Sequence, residues 1–217
     1  MKYFGIIIVD LQGDFTTLKT GSLAVEGTDT EYLSAVEKTA RGLKEKGFKL
    51  FATQDWHPKD HISFFTNTPG RKAFDTISID GRDQILWPPH CVQDSENAGL
   101  LLDPALFTAI VRKGTDSRYD SYSGFQDDGG ARTDLDNILK THGIKTLIVF
   151  GLATDFCVRF TVLDALKSGY RVMVLQNLCR GVAPDSTEQA LREMKDKGAL
   201  LLETDDIDTL EARLLQI

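Results

Sequence analysis

TLIVFGLATDFCV, residues 146–158, decides the fold, because an unbroken apolar run passes through a short turn directly into a helical pattern. Strands that are buried on both faces read as continuous Val, Ile and Leu, which is typical of parallel sheets covered by helices. Further strand-like runs occur at residues 3–9, 48–53, 109–112, 171–175 and, more briefly, 199–202.

Helical patterns lie between these runs, near residues 31–46, 131–142, 155–167 and 184–197. A glycine follows the last periodic residue of each, as a left-handed helix C-cap requires; these are Gly47, Gly143, Gly169 and Gly198. The alternation predicts one domain over residues 1–217 with a three-layer α/β/α fold around a central, mostly parallel sheet. The Pro-, Gly- and Asp-rich stretch 58–89 is interpreted as one long excursion, and such loops are usually functional.

Composition limits the classes of partner. A net charge of −7 without any basic stripe argues against nucleic acid. The first apolar run is too short to span a membrane and no small-residue cleavage site follows it, so it is interpreted as a buried strand. Three Cys show no close-paired spacing, which argues against a disulfide framework or a four-Cys zinc cage, and we therefore expect a cytoplasmic protein. Oligomeric state is left open, a homo-oligomer included.

A divalent-metal site is indicated by Asp55 and His57, two residues apart just past the carboxyl end of the strand at 48–53, with His90 arriving from elsewhere. One carboxylate and two imidazoles suit Zn²⁺, Fe²⁺ or Mn²⁺ and leave positions open for water or substrate. The alternative is that the four His of the chain are scattered surface or capping residues.

Three reactive side chains are expected at the same edge of the sheet. Asp10 ends the first strand, Lys113 ends the strand at 109–112, and Cys157 opens the helix after residue 150. Each has a simpler explanation, as a turn residue, a solvated charge and a small core residue respectively. With Thr154 or Asp155 as N-cap, however, Cys157 falls in a first helical turn, where a thiolate is favoured and nearby N–H groups can form an oxyanion hole.

These residues together resemble the nicotinamidase/pyrazinamidase family within the isochorismatase-like cysteine hydrolases. The resemblance runs from the first strand to the helix carrying Pro184. Its motifs are Asp10, Asp55-Trp56-His57-Pro58, Trp87-Pro88 with His90-Cys91-Val92-Gln93, Lys113-Gly114, Tyr122-Ser123-Gly124-Phe125 and Gly151-Leu152-Ala153-Thr154-Asp155-Phe156-Cys157-Val158.

The resemblance implies hydrolysis of nicotinamide, and of pyrazinamide, to the acid and ammonia through a thioester on Cys157, with a role in NAD salvage. Asp10 would take the thiol proton and later return one to the ammonia, and Lys113 would hold Asp10 and stabilise the thiolate. Backbone N–H groups of Ala153 and Cys157 would form the oxyanion hole, in a turn where the family has a cis peptide, placed here at Ala153–Thr154.

The resemblance also implies that one divalent ion, bound by Asp55, His57 and His90, holds the pyridine nitrogen of the substrate. Whether His61 is a further ligand is left open. The ring would stack on Phe15 and Trp87, and Tyr122 would close the pocket. Cys91 and Cys179 are expected to be structural thiols. The insert at 60–87 is longer than in the shorter bacterial members, and residues 71–75 within it have no assigned role.

Two other functions remain as alternatives at this point. One is hydrolysis of a different small amide by an isochorismatase-like enzyme. The other is a metal-binding or redox-sensing protein in which Cys157 reports oxidation. Asp10 and Lys113 argue against a sensor, because a sensor thiol gains little from a carboxylate that returns protons.

Overall fold

The computed structural model describes residues 3–204, which form a six-stranded sheet covered on both faces by helices. The strand order is β5-β2-β1-β6-β7-β8, and every neighbouring pair is parallel. The expected three-layer α/β/α fold is therefore confirmed. The strands and helices, in chain order, are β1 (Phe4–Val9), α1 (Thr30–Glu45), β2 (Lys49–Asp55), β3 (Thr76–Ile79), β4 (Arg82–Ile85), β5 (Ala109–Lys113), α2 (Leu135–Thr141), β6 (Thr146–Leu152), α3 (Arg159–Lys167), β7 (Arg171–Arg180), α4 (Pro184–Asp196) and β8 (Leu200–Leu202).

The direction of chain progression reverses between β1 and β6, the two central strands. Because parallel crossovers are right-handed, this reversal places α1 on one face of the sheet and α2, α3 and α4 on the other. Ligands in such sheets bind at the reversal point, beyond the carboxyl ends of the strands. β1 is followed directly by Asp10 and β6 leads to Cys157, so the fold brings both residues to that point.

Element types were predicted well, and three boundaries differ from the predicted ones by four or five residues. The helix expected at 131–142 begins at Leu135, because Arg132 pairs with Gln126 in an antiparallel bridge and the Thr133 hydroxyl donates to the Gly124 carbonyl. β7 continues to Arg180, five residues beyond the expected end. Five residues before α3 (154–158) form a wider π turn rather than regular α-helix.

Part of the stretch 58–89, which the sequence predicts to be one long excursion, forms regular secondary structure. β3 and β4 pair as an antiparallel hairpin with Ile77 opposite Gln84, and Asp80 and Gly81 form its turn. Asp-Gly between two short strands is a recognised hairpin signal, so the sequence did contain the information.

The four glycines expected as C-caps all have positive φ, between 69° and 106°. Cys91, Cys157 and Cys179 are buried and form no disulfide. Among residues 3–204, no helix is both long and apolar enough to cross a membrane.

Candidate active site

Lys113 is the centre of a buried charged cluster at the carboxyl end of the sheet. Its side chain is inaccessible to solvent, and its ammonium group contacts Asp10 Oδ2 at 2.9 Å and the Cys157 sulfur at 3.4 Å. It also donates to the Ser121 carbonyl at 2.7 Å and to Oδ1 of Asp55. Burial alone would lower the pKa of Lys113, but the carboxylates of Asp10 and Asp55 outweigh burial and raise it well above its usual value. Lys113 is therefore a permanent cation shared by both carboxylates.

Asp10 is held in a defined orientation by the neighbouring strand. Its N–H donates to Thr53 Oγ1 at 3.2 Å, and the Thr53 hydroxyl donates to Asp10 Oδ1 at 2.7 Å. The residue has φ of 44°, which Asp tolerates better than most residues. With Thr53 on one oxygen and Lys113 on the other, the Asp10 carboxylate is fixed beside Cys157.

The turn that carries Cys157 differs in detail from the prediction. Ala153, not Thr154 or Asp155, is the N-cap, and its carbonyl accepts from the N–H groups of Phe156 and Val158, each at 3.1 Å. Asp155 instead points to the start of α4, where it accepts from the Val182 N–H at 3.0 Å. The cis peptide lies at Leu152–Ala153, one residue before the position expected.

Burial raises the pKa of the Cys157 thiol well above its usual range, and the opposing effect of Lys113 is smaller. Burial thus opposes the thiolate that the position before α3 was expected to favour, because desolvation penalises the charged sulfur. Burial also raises the pKa of Asp10, again more than Lys113 lowers it. A carboxylate with increased proton affinity beside a protonated thiol suits proton transfer during attack rather than before it.

Asp55, His57 and His90 place one ligand atom each within 4.8 Å of one another, and all three are buried. Nδ1 of His57 donates to the Gly114 carbonyl at 2.9 Å, and Nδ1 of His90 donates to the Pro88 carbonyl at 2.8 Å. Backbone carbonyls that take Nδ1–H leave the Nε2 lone pair for a metal ion, a common arrangement around metal-binding histidines.

The residues present fit a divalent cation. His57 Nε2 is buried with no hydrogen-bond partner, 3.5 Å from Asp55 Oδ2. Burial would lower the pKa of His57, but the Asp55 carboxylate outweighs burial and raises it. Burial and the nearby His57 lower the pKa of His90 to about 4, which keeps that imidazole neutral and able to bind a metal. The Asp55 carboxylate thus favours a positive charge at His57 Nε2, a buried atom without a hydrogen-bond partner.

His61 lies beside the cluster without joining it. Its ring centroid is 4.2 Å from that of His57, but its Nδ1 is 2.7 Å from the Ser63 hydroxyl and its Nε2 is 3.1 Å from the Tyr119 carbonyl. A carbonyl can only accept, so Nε2 carries the proton and Nδ1 accepts from Ser63. Both nitrogens are engaged, which argues against His61 as a ligand.

A glycine is required at position 114, directly after β5, where the backbone passes the His57 ring. The φ of Gly114 is 64°, and a Cβ placed there would lie 2.3 Å from Cε1 of His57. Residues 91–93 hold His57 from the other side, since its N–H donates to the Cys91 carbonyl and its carbonyl accepts from Gln93. The imidazole is thus confined between two backbone segments.

One cavity of about 190 Å³ joins the two clusters. Asp55, His90, Ala153 and Cys157 all line it, so the sulfur and two of the three candidate metal ligands face the same space. Asp55 belongs to both clusters, with Oδ1 toward Lys113 and Oδ2 toward His57. The residues expected to bind the substrate ring, Phe15, Trp87 and Tyr122, also line the cavity. The Trp87 indole N–H donates to the Tyr122 hydroxyl at 3.0 Å.

Several residues of the site were not predicted. Gln12 is fully buried and exchanges two hydrogen bonds of 2.8 Å with the backbone of Asp55. Asp120 lines the cavity and accepts from Gln84 of β4 at 2.9 Å. Phe74, from the segment without an assigned role, also lines the cavity. No local pattern marks Gln12 or Asp120, because their partners are distant in the chain.

Comparison with known proteins agrees with this geometry. A family model for the isochorismatase domain matches residues 5–206. A nicotinamidase of Escherichia coli (strain K12) is 43% identical over 202 residues, covering 90% of this chain and 92% of the relative. The solved structure of an Acinetobacter baumanii nicotinamidase and pyrazinamidase has a TM-score of 0.86 at 36% identity, covering 95% of this chain and 99% of that chain.

A pyrazinamidase of Pyrococcus horikoshii, solved in complex with zinc, has a TM-score of 0.76 at 37% identity and covers 93% of this chain and 99% of that one. The chain therefore belongs to the isochorismatase domain family. The resemblance to nicotinamidases and pyrazinamidases expected from the motifs is confirmed.

Proposed function

We propose that this protein is a nicotinamidase that hydrolyses nicotinamide, and also pyrazinamide, to the carboxylic acid and ammonia through a thioester on Cys157. The observation that carries the proposal is the cavity lined both by Cys157 and by two members of the candidate metal cluster, Asp55 and His90. A small heteroaromatic amide needs a nucleophile at its carbonyl and a partner for its ring nitrogen, and the cavity offers both. NAD salvage in the cytoplasm is the role that the family resemblance suggests.

In the proposed reaction, the Cys157 sulfur attacks the amide carbon while Asp10 accepts the thiol proton. The carbonyl oxygen becomes an oxyanion, which the N–H groups of Ala153 and Cys157 stabilise; one such donor typically contributes about 3 kcal/mol. Collapse of this intermediate breaks the C–N bond, and Asp10 returns the proton to the departing ammonia. Asp10 then accepts a proton from water as the water oxygen attacks the thioester carbon. Collapse of the second intermediate breaks the C–S bond and releases the acid, and Asp10 returns the proton to the Cys157 sulfur.

Lys113 keeps the Asp10 carboxylate directed at the sulfur throughout and offsets negative charge as it develops there. Asp55, His57 and His90 would hold one divalent ion, which when bound supplies a Lewis acid for the ring nitrogen. The zinc complex of the Pyrococcus horikoshii relative supports such an ion. Zn²⁺, Fe²⁺ and Mn²⁺ all suit this ligand set.

Ammonia release from nicotinamide tests the proposal, measured on the protein as purified, after chelation, and after return of each metal. We expect turnover that chelation removes and metal restores. Acid quenching followed by intact mass analysis should show a nicotinoyl adduct on Cys157. Absence of ammonia release by metal-loaded protein would contradict the activity, and release that is insensitive to chelation would contradict only the metal requirement.

A further inference from the structure

We propose that Phe74 is a specificity-determining residue that closes the mouth of the cavity over the ring of a monocyclic heteroaromatic amide. The inference rests on the proposed function and adds a contact outside the catalytic and metal-binding groups. Phe74 lies between β2 and β3, in a part of the chain for which the sequence suggested no role.

The exposure of Phe74 is the first observation. Phe74 is 61% exposed, yet it lines the same cavity as Cys157. Its ring is perpendicular to the indole of Trp87, with centroids 6.0 Å apart, and Trp87 is almost fully buried. Phe74 therefore extends the aromatic wall of the cavity outward to its mouth. A flat ring that fills the cavity would cover part of the exposed phenyl, which favours binding.

The backbone at Phe74 is the second, independent observation. Its φ is 71°, a left-handed conformation that is rare for a bulky residue and easy for glycine. Two glycines of the same stretch, Gly70 and Gly81, have a similar φ of 77° each. Stability alone would thus favour glycine at position 74 as well.

The conformation is imposed by backbone contacts that do not involve the phenyl ring. The Phe74 N–H donates to the Leu86 carbonyl, and the Leu86 N–H donates to the Asp75 carbonyl at 2.8 Å. A ring that is mostly exposed adds little to the core. A phenyl ring at a position where the backbone conformation favours glycine indicates a function in the cavity that the ring lines.

The test is Phe74→Gly, assayed for nicotinamide hydrolysis, nicotinate binding by calorimetry and melting temperature. We expect KM and the nicotinate Kd to rise together by roughly 3- to 10-fold, the range for one aromatic contact. We expect kcat to stay within about twofold, because the contact is lost equally from the bound substrate and from the transition state. The melting temperature should not fall, because glycine relieves the strained backbone. Phe74→Tyr keeps the ring and should retain the wild-type KM.

Asp80→Gly is the matched control, since Asp80 is exposed, has φ of 50° and lies in the hairpin turn of the same segment. It should leave KM unchanged. An unchanged KM in Phe74→Gly would overturn the inference, as would a raised KM accompanied by a lower melting temperature that Phe74→Tyr does not restore. Failure of the wild-type protein to hydrolyse nicotinamide would overturn the proposed function and this inference with it, so the two failures are distinguishable.

Discussion

Two walls of the cavity are built in different ways. The strand-end wall consists of Asp55 and Cys157, which line the cavity, and of Asp10 and Lys113, which support them from outside the lining. These residues follow or end strands β1, β2, β5 and β6. These four are almost fully buried, and Lys113 contacts the other three directly. The loop wall consists of Phe74, Trp87 and Tyr122, which come from the loops before β3, after β4 and after β5 and are joined by ring contacts.

The difference separates chemistry from recognition. Strand ends are fixed by five parallel ladders, so they can hold charged groups to the precision that proton transfer and nucleophilic attack require. The loop wall offers apolar surface that depends less on exact position. We therefore expect changes in the strand-end wall to lower kcat by orders of magnitude and changes in the loop wall to raise KM by smaller factors.

Cys157→Ala should have the largest effect. Removing the nucleophile should lower kcat by about 10⁴-fold or more, while nicotinamide binding, measured by calorimetry, should change only a few-fold because the ring contacts remain. Cys179→Ala, a buried thiol outside the cavity, is the control and should remain active. Substantial hydrolysis by Cys157→Ala would rule out the thioester.

Asp10→Asn should have the next largest effect. The amide keeps the size of the side chain and an oxygen for Thr53 or Lys113, but it cannot accept the thiol proton, so kcat should fall by about 10²- to 10⁴-fold. Steady-state kinetics with a melting curve check this. Asp14→Asn serves as control, because Asp14 is also a buried carboxylate but accepts from the Cys91 N–H at 2.7 Å instead. Equal losses in both variants would show a structural effect, not loss of a base.

Gly114→Ala should act on the metal. The added Cβ would clash with the His57 ring, so bound metal should fall clearly below one equivalent on elemental analysis. Displacing a group that orients a metal ligand typically costs about 10- to 100-fold in affinity or activity.

Because position 114 has positive φ, Gly114→Ala should also lower the free energy of unfolding by about 1 kcal/mol. A control must separate this loss of stability from the clash with His57. Gly143→Ala provides it, because Gly143 has φ of 69° and an added Cβ there meets no atom within 4 Å. It should lose similar stability and keep its metal. Loss of metal from both variants would mean that strain, not the contact with His57, is responsible.

The strand-end wall could be predicted from sequence, and the reason is geometric. Apolar runs identify buried strands, and the residue after a buried parallel strand must lie at the ligand-binding edge. Asp10, Lys113 and Asp55 follow from this rule alone, and the structure brings them together. Cys157 needed only the additional inference that a helix starts after β6.

The loop wall and the supporting residues could not be predicted in the same way. Gln12 bonds to residues 43 and 86 positions away, a pairing that no local pattern reveals. Asp155 was assigned to its own helix by local preference, but tertiary contacts direct it to α4. The hairpin is the exception, since Asp80-Gly81 signalled it.

A smaller effect is expected where the two walls are connected. Gln84 on β4 donates to Asp120, whose other oxygen accepts from the Ser121 N–H at 2.8 Å, and the Ser121 carbonyl accepts from Lys113. Gln84→Ala removes one bond to a buried carboxylate, so the free energy of unfolding should fall by about 1–2 kcal/mol. Because this chain of contacts reaches Lys113, kcat should also fall several-fold.

Denaturation in urea and steady-state kinetics test both expectations, with Asp83→Ala as control, an exposed position on the same strand that should affect neither quantity. A decrease in stability with unchanged kcat would mean that the hairpin braces the loop wall only. A decrease in kcat at constant KM would show that the loop wall also sets the position of the catalytic lysine. The division between chemistry and recognition would then hold for the residues that contact the substrate, but not for those that support them.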